Sequence, residues 1–146
     1  MKLNMSQTLK DYGIRLTKVR EAVFLLLVKE ARPLSHNEII SHSEISKFDR
    51  VTIYRTLEVF LEARLIHQVK GTDGGSRFGA NFSDSHRKCT GDHIHFLCSV
   101  CNEMTCLPEQ PLPWVNAPKG FEIQSKQLVV YGVCSVCHKK KSKAKK

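Results

Sequence analysis

The sequence predicts an α+β chain in two parts: an N-terminal winged helix-turn-helix and a small C-terminal α/β domain with a Zn(Cys)4 site. Three observations predict it. Helix-period segments extend to residue 63 and lead directly into a Gly-rich hairpin. Residues 83–88 are polar and read as a hinge linker. Beyond them, Cys98-Ser-Val-Cys101 and Cys134-Ser-Val-Cys137 are two Cys-x-x-Cys pairs separated by 32 residues. Four soft thiolates at that spacing suit a tetrahedral zinc site, because a two-residue spacer lets one tight turn aim both sulfurs at a metal.

The elements follow in order. A short first helix is expected over 7–12, ending at Gly13. Thr17 reads as the N-cap of a second helix. Its Val19, Ala22, Val23, Leu26 and Leu27 recur with the period of one buried stripe, and Arg32-Pro33 ends it. Ser35 caps a third helix, with Glu38 at the capping-box position, and Ile39 and Ile40 supply its core side. Asp49 caps a fourth helix over 50–63, where Ile53, Leu57, Phe60 and Leu61 share a face. Residues 65–70 alternate, 71–75 form a turn, and 76–82 pair back, which makes the wing. In the second part, strands are expected over 93–97, 103–107 and 127–133. Prolines 108, 111, 113 and 118 leave room for at most a short helix between the last two.

Charge is uneven along the 146 residues. Residues 1–82 carry 13 basic and 9 acidic side chains, residues 83–138 carry 4 and 5, and the tail 139–146 adds six lysines. The tail reads as a disordered basic segment able to add sequence-independent attraction to a polyanion. No secretory leader is visible, and the apolar run 22–28 spans only seven residues, too few to cross a bilayer. The expectation is a cytoplasmic chain with reduced thiols, which favours metal over disulfides. No membrane partner and no small organic ligand are expected.

A helix-turn-helix inserts its second helix in the major groove, and the N-terminal half of that helix meets base edges. Here that half is Arg50-Val-Thr-Ile-Tyr-Arg-Thr56. Arg55 suits guanine or phosphate, Tyr54 a thymine methyl or phosphate, and Thr52 and Thr56 the DNA backbone. Arg15 and Arg20, beside the second helix, are placed for phosphate or minor-groove contact.

Three motifs occur in order: Arg15-Leu-Thr17-x-x-Arg20, Asp49-Arg-Val-Thr-Ile-Tyr-Arg-Thr-Leu57 and His93-Ile-His95-Phe-Leu-Cys98-x-x-Cys101. With them, residues 10–138 resemble the ferric uptake regulator superfamily, most closely its zinc uptake regulator branch. The resemblance implies a winged-helix DNA-binding domain over 1–82, a dimerisation and metal-binding domain over 89–138, and a homodimer that closes on a palindromic operator when a hinge metal binds. It also implies that the hinge ligands decide the metal. His93 and His95 match the family's His-x-His pair. Cys106 stands where many members carry an acidic ligand, His67 where some zinc sensors place a ligand at the start of the wing, and Cys89 where zinc sensors carry a cysteine. The acidic ligand that iron and peroxide sensors carry after the wing phenylalanine is Gly79 here. The histidine that iron sensors place before helix three is Pro33, and a late-strand histidine of some members is Lys126.

Thiolate with imidazole suits Zn2+. His67, Cys89, His93 and His95 would make a tetrahedral set, with Cys106 as a fifth candidate for four places. His36, His42, His86 and His138 are left unassigned, His36 as a solvent-facing residue after the Ser35 cap. The function expected is a zinc-responsive repressor with one structural zinc and a second, regulatory divalent metal, zinc or else Fe2+. The alternatives are an iron-responsive or thiol-redox, peroxide-sensing repressor and, more remotely, a zinc-ribbon interaction module. His-x-Glu and His-Glu-x-x-His signatures, a Gly-rich phosphate loop and a nucleophile elbow are all absent, so no enzyme is expected.

Overall fold

The structure, a computed structural model, describes residues 4–71, 73–81 and 93–144. The chain divides into two compact units, Met1–Gly91 and Asp92–Lys146.

In the first unit, α1 (Met5–Asp11) starts at Asn4, whose side chain accepts the N–H of Gln7. Thr17 accepts the N–H of Arg20 and opens α2 (Lys18–Glu30). That helix stops at Ala31 in the left-handed region, φ 52°, where the Arg32-Pro33 step cannot continue a helix. Val23, Leu26 and Leu27 are buried as the stripe predicts, and Phe24 and Val28 join them. The buried face is wider than one stripe because α2 is packed by α1, α4 (Arg50–Glu62) and β3 (Ser76–Ala80) together.

A two-residue strand, β1 (Leu34–Ser35), precedes α3 (His36–Ser41). Ser35 and Glu38 form the predicted capping box: Glu38 accepts from the Ser35 N–H at 2.8 Å and also from Arg32 at 2.9 Å. Asp49 accepts the N–H of Thr52 and opens α4. The wing is β2 (Ile66–Lys70) with β3, antiparallel, and β1 pairs on the other edge of β3 to complete a three-stranded sheet. β1 was not legible beforehand, since two residues hold no period of their own. The core joins helices and wing: Phe24 meets Phe60 edge to face at 5.9 Å, surrounded by Leu27, Ile39, Ile53, Leu57, Leu65 and Phe78.

In the second unit, β4 (His93–Cys98) lies between β5 (Met104–Pro111), antiparallel, and β6 (Val129–Gly132), parallel. Residues 112–118 form no helix. The chain then makes α5 (Ser135–Ala144). A disordered tail was expected over 139–146; Lys139 to Ala144 are instead helical, and residues 145–146 lie outside the described residues. Lysine and alanine are good helix formers, and a helix nucleated at the Cys134–Cys137 turn can extend into them.

Candidate metal centres and nucleic-acid interface

The four predicted zinc cysteines come together. The Sγ atoms of Cys98, Cys101, Cys134 and Cys137 all lie within 4.8 Å of one another, with Cys101 and Cys134 at 3.9 Å. A tetrahedral Zn–S bond near 2.3 Å implies sulfurs about 3.8 Å apart, so the cluster fits that ion. All four are free thiols.

Local backbone builds the cluster from both sides. Cys98 ends β4, and the chain reverses through Asn102, at φ 57°, whose N–H donates to the Cys98 carbonyl. Ser99 donates to Gly132, which brings the end of β6 beside this turn. The Cys134 N–H donates to Cys98 Sγ at 3.3 Å and the Val100 N–H does so at 3.5 Å. The N–H of Cys101, followed by that of Cys134, holds the Cys98 thiol down at about 6. The Cys137 thiol is pushed up to about 12, first by its hydrogen bond with Cys134 and then by burial. Four crowded thiols cannot all ionise without a counter-charge, and a dication supplies one.

The regulatory candidates fall on both units. In the second, His93 and His95 alternate along β4, are both buried, and lie with ring centroids 4.5 Å apart. Cys106, half-buried on β5, is the register partner of His95, and their donor atoms lie within 4.8 Å. Cys89 lies outside the described residues, as do residues 83–88 of the expected linker.

In the first unit, His67 is the second residue of β2 and pairs with Gly79 across the hairpin. Its ring lies over that glycine, and a Cβ built on Gly79 would sit 2.7 Å from His67 Cε1 and 2.9 Å from Nε2. The other near neighbour is Cγ of the buried Pro33, at 3.5 Å. Thus Gly79, one of the two positions expected to lack a ligand, borders the imidazole of a candidate one, and Pro33, the other, lies beside that glycine. The His67 Nδ1 lies 2.8 Å from Asn81 Oδ1. Asn81 escaped the sequence analysis because its link to residue 67 crosses the hairpin and leaves no local pattern.

On α4, Arg50, Val51, Thr52, Tyr54 and Arg55 are exposed, which is the face a groove-reading helix must offer. Thr52 also donates its hydroxyl to Asp49. Thr56 corrects the sequence expectation of a backbone contact: it is buried and donates to the Thr52 carbonyl at 2.8 Å. It falls three residues after Ile53 and four before Phe60, a helical spacing that places it on the core stripe. Arg15 is exposed. Arg20 is half-buried and donates to the Arg15 carbonyl at 2.9 Å. His36 is not solvent-facing as expected, since it lies between Tyr54 and Phe78.

Among the described residues no helix is long and apolar enough to cross a membrane. The family model described as the Ferric uptake regulator family matches residues 11–131. The chain is 30% identical over 143 residues to the peroxide operon regulator of Bacillus subtilis, covering 93% of this chain and 92% of the relative. Among solved structures it is similar to the Vibrio cholerae ferric uptake regulator, with a TM-score of 0.61, 21% identity, and 88% and 98% of the two chains covered. It is likewise similar to holo XcZur, with a TM-score of 0.55, 19% identity, and 89% and 91% covered.

Proposed function

Since the chain belongs to the ferric uptake regulator family of metal-responsive transcription regulators, we propose that it is a zinc-responsive repressor that binds a palindromic operator as a homodimer. In this reading one zinc, held by Cys98, Cys101, Cys134 and Cys137, is structural. A second site draws on His67 from the first unit and on Cys89, His93, His95 and Cys106 from the second. Protein regulators of this kind work in the cytoplasm, on double-stranded DNA.

The observation that carries the zinc reading is the wing. Gly79 offers no carboxylate, and an imidazole occupies the space a side chain there would need. The remaining candidates are imidazole and thiol donors, a set that suits Zn2+ over the oxygen-seeking divalent ions. Donors taken from both units are satisfied together in only one relative arrangement, so metal binding has differential affinity for that arrangement. In a dimer this sets two recognition helices on successive major grooves, about 34 Å apart. Arg15, Arg20, Thr52, Tyr54 and Arg55 are the proposed DNA contacts. The second unit supports a dimer because it exposes Phe121, Ile123, Leu128, Val130, Tyr131 and Val133, and β6 is an edge strand.

A second reading, peroxide or thiol-redox sensing, has one observation in its favour: the relative at 30% identity is a peroxide operon regulator. One experiment separates them. The purified dimer is assayed for metal by elemental analysis before and after mild chelation, and operator binding is then titrated with Zn2+ and, without oxygen, with Fe2+. One retained zinc per chain, plus a removable zinc that restores DNA binding, supports the zinc sensor. Restoration by Fe2+ alone, with release on adding peroxide, would replace it with the second reading.

A further inference from the structure

Two contacts of His67, and two more that hold its neighbour Asn81, sit within one unit, and none is explained by the roles assigned above. The ring lies over Gly79, the Nδ1 atom faces Asn81, and Asn81 is itself held twice. Its side-chain amide donates to the Arg64 carbonyl at 2.6 Å, and its backbone N–H donates to the Leu65 carbonyl at 3.0 Å. Arg64 is in the left-handed region, φ 57°, at the turn leaving α4. That turn aims its carbonyl at the wing and so fixes which end of the Asn81 amide faces which neighbour.

The hydrogen-bond inventory then decides the tautomer. An amide has one donor end and one acceptor end. With the Nδ2 of Asn81 spent on Arg64, its Oδ1 faces His67, and an oxygen accepts. His67 Nδ1 must therefore carry the proton and donate across the 2.8 Å contact. A neutral imidazole protonated at Nδ1 has its lone pair on Nε2, the form in which a histidine ligates a metal while its other nitrogen is oriented by a neighbour.

We propose that Asn81 is a positioning residue that makes His67 a single-nitrogen ligand through Nε2, and that Gly79 determines specificity by admitting the ring. A side chain at 79 needs the space the imidazole fills, since even a Cβ would come within 3 Å of two ring atoms. This wing can offer nitrogen from position 67 or a carboxylate from position 79, but not both in the present arrangement. The choice moves the site between a zinc-favouring and an oxygen-rich donor set. The inference rests on the reading of His67 as a regulatory ligand.

The test uses the full-length dimer with its structural zinc in place, and titrates the removable site with Zn2+ and with Co2+, whose visible absorption reports ligand geometry. Asn81→Leu should weaken binding about 10- to 100-fold, and Gly79→Ala should weaken it in the same direction. Asn81→Asp should restore near-parental affinity and the parental Co2+ spectrum. A carboxylate oxygen accepts from Nδ1 but cannot donate to Arg64, so a purely structural role would leave Asn81→Asp as weak as Asn81→Leu. That outcome overturns the positioning role, and so does parental affinity in Asn81→Leu. His67→Ala separates the layers. If it weakens binding while Asn81→Leu does not, the ligand reading stands and the positioning role is refuted. If His67→Ala binds like the parent, ligand reading and inference fall together. Retained structural zinc and a single cooperative melting transition exclude misfolding, and if Asn81→Leu does not fold, the Gly79→Ala and Asn81→Asp pair decides.

Discussion

The ring of His36 packs against that of Tyr54, with centroids 4.4 Å apart and planes tilted by 45°. Phe78 closes the other side at 4.6 Å. The first residue of α3 thereby joins the wing strand β3 to the exposed face of α4, and restrains a tyrosine proposed to touch DNA. Aromatic pairs of this kind contribute about 0.5–1.5 kcal/mol beyond area burial. His36→Ala should therefore weaken operator binding by a few-fold to about tenfold, measured by fluorescence anisotropy of a labelled operator, and His36→Phe should retain most of the affinity. Equal affinity in the alanine variant would show that Tyr54 is held without it.

The same packing should make the first unit sensitive to mild acid. Burial lowers the His36 pKa below its ordinary value of 6.5. The unfolded chain then binds a proton more readily than the folded one. Stability from this residue is fully present above the unfolded pKa, and is lost as pH falls from there through the folded pKa. Thermal melts of the parent should show a decline below about pH 6.5 that is shallower in His36→Phe. Parallel profiles would assign the decline to other groups.

Much of this unit was readable because its signals are local. Thr17, Ser35 and Asp49 each cap the helix that follows, and the Ser35–Glu38 box formed as its spacing predicts. The two Cys-x-x-Cys pairs were readable for the same reason, since two-residue spacing constrains geometry directly. What was missed depends on distant partners. β1 exists only through pairing with Phe78 and Arg77. His36 looked exposed because its two neighbours come from residues 54 and 78. Asn81 gains its meaning from residues 64 and 67 on the other side of the hairpin. Thr56 is different: the spacing from Ile53 to Phe60 already placed it inside, and its hydroxyl drew it wrongly to the surface.

Arg55 and Thr56 are adjacent but should behave oppositely. Arg55 is exposed, and Arg55→Ala should lower operator affinity without changing zinc content. A loss of about 1–3 kcal/mol that varies with one base pair would mark base readout, whereas a uniform loss with a salt slope smaller by about one would mark phosphate contact. Thr56→Val keeps the shape of a buried residue and removes only a hydroxyl bonded within its own helix. It should leave operator affinity within about twofold, the scale expected for a site remote from the interface. A large loss in Thr56→Val would return that residue to the DNA-contacting face.

A zinc held by the four cysteines would couple α5 to the metal. The helix has 10 residues, too few for an isolated helix to be stable in water. Lys139 and Lys143 stand one turn apart, as do Lys140 and Lys143, and like charges at those spacings are unfavourable. Its first turn, however, holds Cys137 and directly follows Cys134, so ligation would fix the nucleus that the sequence alone cannot form. Removing the proposed structural zinc with a strong chelator should lower helical circular dichroism together with metal content, and high salt, which screens the lysines, should soften the loss. Cys98→Ser should do the same without chelator: it removes the sulfur that accepts from Cys134 and Val100, and with it folding free energy that metal supplies. If the zinc-free protein kept its full helical signal and its dimer, α5 would be self-supporting and the four cysteines would not hold a structural metal.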